Sequence, residues 1–413
     1  MQQSILLIAG NYYPELTGIG RYNAEMIDWL ADNGFKCTVI STYPYYPYWK
    51  VQPPYEKKNK WYKKEKRLTK NGNEITVYRC PHIVPQVPTG KKRILFDFSF
   101  FVSVFFKIIT LMGRKFDYVM NVTPPLPLGI VASLYKKITG AKFLYHIQDL
   151  QVDAARDLNM ISSETLIGAL FRVERFILKR ADVASTISAG MKKKVMAKTN
   201  KPVILFPNWS DTNAFYPLPN KNELKEAFGL KKNIPVILYS GAIGEKQGLE
   251  AILDTAKDFQ DEGINAQFVI CGSGHYKTVL QHNAELTGLK NIIFFELQPN
   301  EKLNMFLNMA DVHLVIQKAG ASDLVMPSKL TNILSVGGLA LITANAGSGL
   351  YDVIDKYNMG ILCKAEDNAG LKLAIRKAIT NDNGVFKNNA RKYAEEFLSI
   401  NKIMKRYVEE AMS

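Results

Sequence analysis

Cysteine is scarce in this 413-residue chain: Cys37, Cys80, Cys271 and Cys363 stand far apart, with no C-x-x-C. That pattern suits a reducing compartment better than a disulfide framework or a zinc site. Histidine is nearly as rare, with five residues and no H-E-x-x-H, so the commonest helical zinc signature is missing. Asp-x-Asp is missing too, which argues against a metal-dependent nucleotide site. No internal repeat or low-complexity tract occurs. No leader is expected, because Met1 and two glutamines run directly into an apolar strand.

Basic residues dominate. Lys and Arg number 53 against 38 Asp and Glu, a net charge of +15. The excess is concentrated: residues 50–93 hold thirteen Lys or Arg and three Glu. Such a patch suits an acidic partner, whether anionic lipid, a phosphate-rich substrate or nucleic acid, or else only keeps the surface solvated. At 47% hydrophobic and 22% charged, the chain has a globular composition with room for two domains.

Apolar strands alternate with amphipathic helices along the whole chain. Strands are predicted over residues 4–9, 36–41, 75–79, 117–122, 142–147, 182–187 and 202–206. A second series follows over 236–240, 266–270, 292–295, 312–316, 340–343 and 360–363. Two runs of βα units predict an α/β protein with two doubly wound sheets facing across a cleft. The expected domains are 1–210 and 211–390, with a helix over 391–413 returning to the first.

The centre of the second series is VILYSGAIGEKQGLEAILDTA, residues 236–256. It reads as strand, glycine turn, helix. Gly241 and Gly244 let backbone N–H groups approach a ligand, and a helix N-terminus favours an anion. Glu245 follows the turn, and Lys246 falls in the first predicted helical turn, where the dipole disfavours a cation. A bound diphosphate accounts for it; so does an ordinary βα turn with a solvated lysine. Further glycine turns follow at Gly272/Gly274 and Gly347/Gly349. Within MPSKLTNILSVGG, Pro327 suits the first turn of a helix, Ser328 can cap it and Lys329 adds charge. Asn332 lies one turn beyond Ser328.

The first series opens with GNYYPELTGIGRY after its first strand. Gly18 and Gly20 form a G-x-G whose third glycine is replaced by Asn23, an incomplete dinucleotide fingerprint. His146 and Asp149 fall at the carboxyl end of a strand, where open α/β sheets bind ligands. Residues 42–55, TYPYYPYWKVQPPY, carry four prolines and form no regular element. Their aromatics fit a membrane interface, a sugar-binding rim, or a loop packed on its own domain. Asn71-Gly72 marks a hairpin turn. Residues 94–112, ILFDFSFFVSVFFKIITLM, form the most hydrophobic stretch. Asp97 and Lys107 lie inside it, so a domain helix or an interfacial helix fits better than a span.

These landmarks together resemble the two-domain GT-B glycosyltransferases of the retaining family 4 type. RVERFILKRADVASTIS is similar to that family's helix and strand closing the first domain, and PNWSDTNAFYP to its linker. SGAIGEKQGLE is similar to its donor-phosphate loop, and PSKLTNILSVGG to its donor-binding helix. YYPYWKVQPPY and HIQDLQVDAA look closest to the colanic-acid type of exopolysaccharide transferase. Where the family carries E-x7-E, this chain has Leu324 and Asn332, with Asp323 beside the first.

The resemblance implies transfer from a nucleotide-diphosphate sugar, a donor substrate and not a cofactor, with retention and no metal. Lys246, Lys329 and the amides near Gly241, Gly244 and Ser328 would stabilise the leaving diphosphate. Asn332 would meet the ribose, and Gly272 and Gly274 would border the nucleotide. Gly18 and Gly20 would border the acceptor, whose hydroxyl His146 or Asp149 would orient or deprotonate. The expected acceptor is a lipid-diphosphate-linked saccharide at an anionic, cytoplasm-facing membrane surface, with no nucleic acid bound. Three other readings use the same features: a sugar-nucleotide epimerase, a nucleic-acid-binding protein and a non-catalytic sugar-binding subunit.

Overall fold

The alternation folds into two separate sheets. The computed structural model describes residues 2–413 except 16–17, 57–58, 88–89, 158–160, 162, 275 and 318–326; for Lys91 and Lys246 it describes the backbone only. One unit comprises Met1–Pro207 with Met404–Ser413, the other Asn208–Ile403.

In chain order the first unit contains β1 (Ser4–Ala9), α1 (Gly18–Asp32), β2 (Lys36–Thr42), β3 (Lys63–Leu68), β4 (Glu74–Cys80), α2 (Gly90–Ile109) and β5 (Tyr118–Thr123). Then come α3 (Leu128–Thr139), β6 (Lys142–Ile147), α4 (Gln151–Asp157), α5 (Glu164–Arg180), β7 (Val183–Thr186), α6 (Ala189–Met196) and β8 (Val203–Leu205). The strands form one sheet in the order β3-β4-β2-β1-β5-β6-β7-β8. Only β3 runs antiparallel to its neighbour. Residues Ile5 to Ala9 of β1 are fully buried, because helices cover both faces of a parallel sheet. The edge strand β3 reads KKEKRL and alternates half-buried with exposed; its lysines discourage edge-to-edge pairing. The Asn71-Gly72 turn joins it to β4, with Gly72 at φ +85°.

The predicted hydrophobic helix starts four residues early, at Gly90. Phe96, Phe100, Val104 and Ile108 line its buried face, which packs on β4 and α3. No helix among the described residues is long and apolar enough to cross a membrane, so the span reading is dropped. The proline-rich loop is packed on its own unit: Tyr43, Val51 and Tyr55 form a small buried cluster with Val84 against it, and Tyr45 lies against Phe96 and Trp49. Of its aromatics, Tyr48 is left exposed.

The second unit contains α7 (Lys221–Ala227), β9 (Val236–Ser240), α8 (Glu250–Asp261), β10 (Gln267–Cys271), α9 (Lys277–Leu286), β11 (Ile292–Phe295), α10 (Asn300–Asn308), β12 (Val312–Val315) and α11 (Ser328–Ser335). It continues through β13 (Ala340–Thr343), α12 (Gly349–Tyr357), β14 (Ile361–Cys363) and α13 (Asn368–Thr380) to α14 (Gly384–Phe397); α15 (Ile400–Ala411) begins in this unit and ends in the first. Its sheet is wholly parallel, in the order β11-β10-β9-β12-β13-β14. One face is covered by Leu253, Phe259, Leu280 and Leu371. The other is covered by Phe306 with Leu307 and by Leu330 with Ala390. The chain's last residues, from Met404, belong to the first unit, where the Tyr407 ring stacks on Phe206 at 3.9 Å between centroids.

Candidate active site

In the second sheet, β9 is flanked by β10 on one side and β12 on the other. Strand order reverses there, and such a reversal opens a crevice at the carboxyl ends of the strands. Tyr239 ends the buried part of β9, and its hydroxyl donates to the Ala242 carbonyl at 2.7 Å. Lys329, in the first turn of α11, reaches back over this ring, with Nζ 3.6 Å from the ring centroid. The same ammonium lies 3.4 Å from the Leu314 carbonyl. A Cβ added to Gly241 would meet Lys329 Cδ at 3.4 Å, so the glycine turn and the lysine share one place. Burial pushes the Lys329 pKa down to about 7. No carboxylate forms an ion pair with it among the described residues. The ring's negative face favours the ammonium, while burial disfavours its charge.

Gly272 and Gly274 have packing reasons. A Cβ on Gly272 would fall 1.9 Å from the Gly241 carbonyl oxygen, and one on Gly274 1.9 Å from that of Ile243. The loops after β9 and β10 run side by side: Gly241 N–H donates to the Cys271 carbonyl and Ile243 N–H to that of Ser273, each at 2.9 Å. Those two amides are engaged by protein, so of the amides near Gly241 and Gly244 these two are not left for a diphosphate. The turn also does not lead directly into a helix. Glu245–Gln247 is a 3-10 turn closed by Gly248 in the left-handed region, and α8 starts at Glu250. Lys246 is therefore not in the first turn of α8; its side chain lies outside the described residues, as do Asp323 and Leu324. Ser348 Oγ accepts from Tyr351 N–H at 3.2 Å and caps α12, which explains the third glycine turn as a helix start.

At α11 the cap position is Pro327, which makes no side-chain cap hydrogen bond, and Ser328 is the first helical residue and exposed. Asn332 is 7% exposed. Its amide oxygen accepts from Ser210 Oγ at 2.9 Å, so it fastens the segment after β8 to α11. Arg391 fastens the same segment, donating to the carbonyls of Phe215 (2.8 Å), Ser335 (2.6 Å) and Thr212 (3.2 Å).

In the first unit, β1 stands between β2 and β5, a second reversal point. Gly18 and Gly20 are in the first turn of α1, not in a loop. Gly18 has φ +57°, and a Cβ there would meet Tyr46 at 3.8 Å; on Gly20 it would meet Glu15 Cβ at 3.0 Å. Asp149 is half-buried just past β6, and its charge, after those of Glu15 and Arg93, acts on the Tyr46 phenol. His146 is different. It is 1% exposed. Gln148 Nε2 stands 2.9 Å from its Nε2, and Ser185 Oγ 3.0 Å from its Nδ1. An amide N–H can only donate, so Nε2 accepts and Nδ1 carries the proton. Burial drives its pKa down to about 3. Engaged at both nitrogens and weakly basic, His146 reads as a packing residue, contrary to the expectation of an acceptor base.

The residue passed over in the sequence is Glu15. Its carboxylate accepts from the Tyr45 and Tyr46 amides at 2.7 and 2.8 Å and from Asn11 Nδ2 at 2.8 Å. Burial pushes its pKa up to about 7, against the pull of those amides. It ties the proline-rich loop to the start of α1. The only signal was its place between Pro14 and Gly18, which any loop could show.

Comparison with known proteins agrees with this arrangement. A family model described as "Glycosyl transferase 4-like domain" matches residues 17–209, and one described as "Glycosyl transferases group 1" matches 220–397. A protein of Escherichia coli (strain K12), provisionally assigned as the colanic acid biosynthesis glycosyl transferase WcaI, is 39% identical over 415 residues, covering 98% of each chain. The chain belongs to the GT-B glycosyltransferases. Solved structures share the fold of this glycosyltransferase. Sucrose-phosphate synthase of Thermosynechococcus elongatus superposes with a TM-score of 0.78 at 15% identity, covering 99% of this chain and 98% of that one. Anabaena HepE, solved with UDP and glucose, gives 0.72 at 13% identity, covering 99% of each. WaaG, a glycosyltransferase involved in lipopolysaccharide biosynthesis, gives 0.68 at 16% identity, covering 99% of this chain and all of that one.

Proposed function

We propose that this glycosyltransferase moves a sugar from a nucleotide-diphosphate donor to a lipid-diphosphate-linked saccharide, with retention and without a metal, in exopolysaccharide or surface-glycan synthesis at the cytoplasmic face of the membrane. The observation that carries the reading is Lys329, its ammonium 3.6 Å over Tyr239 at the mouth of the β9–β12 reversal. Departure of a nucleoside diphosphate develops negative charge, and a cation fixed in a partly dry site opposes it with little reorganisation. Lys246, in the adjoining 3-10 turn, supplies the second cation. In the first unit Asp149 orients the acceptor hydroxyl, because His146 is engaged by Ser185 and Gln148. Among the described residues no three His, Cys, Asp or Glu side chains gather to hold a metal ion.

The test is a thermal-shift screen of UDP, GDP, ADP and TDP in excess chelator. One of them should raise the melting temperature through mass action, and Lys329→Ala should abolish the rise. No response to any of the four sinks the donor assignment. The anomeric configuration of the product, read by NMR, tests retention. Sugar conversion that proceeds without any acceptor identifies an epimerase instead.

A further inference from the structure

Helix α2 is covered on one side only. Its inner face packs on the sheet, yet its outer face is also apolar. Ile94, Leu95, Phe98, Phe106 and Ile109 are exposed, Phe98 and Phe106 by 59% and 58%. They recur at helical spacing over sixteen residues, about 22 Å of helix. Soluble chains rarely leave a contiguous apolar stripe of this kind without a partner.

Cations surround the stripe. Lys92 and Arg93 are exposed at the N-terminal end of α2. Beside its C-terminal half, Lys64 of β3 and Arg114 lie close enough to Lys107 to oppose its charge. Lys107 Nζ sits 4.0 Å over the Tyr78 ring, and Arg114 Nη1 is 3.3 Å from the same phenol oxygen. Trp61 is 79% exposed; next to it, the Tyr62 hydroxyl donates to the Ser103 carbonyl of α2 at 2.8 Å, which fixes the segment before β3 against the helix. The acids on these elements are engaged, Glu65 of β3 by Arg79 at 2.8 Å. Asp97, the one acid in α2, accepts from Gln151 at 3.2 Å and is held up to about 6 by burial. Glu74 pairs with Lys66 at 2.8 Å. Like charges gathered around an apolar stripe repel one another in water, and an anionic surface relieves that repulsion.

We infer that the outer face of α2, with Trp61 and the exposed cations Lys64, Lys92, Arg93 and Arg114, is the surface by which this glycosyltransferase lies on an anionic bilayer. The inference rests on the membrane-surface part of the function proposed above and names the element responsible. Because the inner face of α2 stays on the sheet, the helix lies in the plane of the interface: its phenylalanines enter the acyl boundary and its cations meet lipid phosphates.

Co-sedimentation of the full chain with phosphatidylglycerol–phosphatidylcholine vesicles, and with phosphatidylcholine vesicles alone, tests this. Binding should require the anionic lipid and weaken as salt rises. Phe98→Ser with Phe106→Ser should lower partitioning at least about tenfold, since it scales with buried apolar area. Lys92→Glu with Arg93→Glu should lower it about fivefold or more for each cation. Both positions of the first pair are exposed, so the melting temperature and the nucleotide thermal shift should remain those of the unaltered chain. That separates failure here from failure of the donor-site reading. Absence of binding at low salt overturns the inference, as does binding unaffected by the phenylalanine pair. A dimer by sedimentation equilibrium that the same pair dissociates also overturns it, because a second copy then covers the stripe.

Discussion

Lys329 Nζ and the Tyr239 ring are 3.6 Å apart, and the lysine lies on a helix while the ring lies on the strand that the helix must reach across. The contact exists only because β12, which leads towards α11, pairs with β9. A lysine so placed is only half charged near neutrality. A diphosphate would hold it charged, so binding takes up a proton. Affinity should be level below about pH 7 and weaken as pH rises above it, with Lys329→Arg removing the dependence because a guanidinium stays charged. Titration calorimetry in buffers of different ionisation enthalpy reads the uptake directly. An affinity that does not change between about pH 6 and 9 contradicts this. Lys329→Ala should lower kcat on the order of 10²–10³-fold.

Glu15 gives a stability prediction of defined sign. Its carboxyl is raised from 4.5 to about 7 in the folded chain, so between those values the folded state binds more protons than the unfolded one. Stability is therefore lost as pH rises through that window. Glu15→Gln keeps an acceptor for the Tyr45 and Tyr46 amides and removes the charge. It should raise stability at pH 8 on the order of 1–3 kcal/mol and change little near pH 4.5. Melting curves of both proteins across pH are the measurement; a difference independent of pH refutes the assignment.

The two glycines after β10 separate packing from conformational need. Gly272→Ala or Gly274→Ala places a methyl 1.9 Å from a carbonyl oxygen of the neighbouring loop, and the loop must part. Gly140, the left-handed residue ending α3, has nothing within 4 Å of its absent Cβ. Gly140→Ala should cost about 1 kcal/mol and either of the other two at least about 3 kcal/mol. Urea unfolding compares them, and equal losses would show that the loops do not meet as described.

Arg391 should matter for stability although no ligand chemistry is assigned to it. Arg391→Ala leaves the carbonyls of Thr212, Phe215 and Ser335 without their charged donor. A loss of about 2–4 kcal/mol is expected, with Arg391→Lys recovering only part of it because an ammonium cannot reproduce the guanidinium fork. Full recovery with lysine would mean that charge alone suffices.

The order of strands and helices was legible without coordinates. The apolar run of β1 and the Asn71-Gly72 hairpin are written in local periodicity and turn chemistry. Much of the site was not. G-x-G after a strand is the same pattern whether the glycine admits a phosphate or a neighbouring carbonyl, and only the separation of Gly272 from Gly241 distinguishes them. His146 looked like a base because it ends a strand; its burial against Phe206 and its engagement by Ser185 and Gln148 depend on residues up to sixty positions away. Glu15 carried no motif, and its near-neutral carboxyl comes from being enclosed by a loop thirty residues on. The sequence by itself determined which segments bury an apolar face and where the chain turns, because those follow from neighbours along the chain. The tertiary structure alone decided which polar groups remain open to a ligand, because desolvation and hydrogen-bond engagement are set by whatever distant residue packs against them.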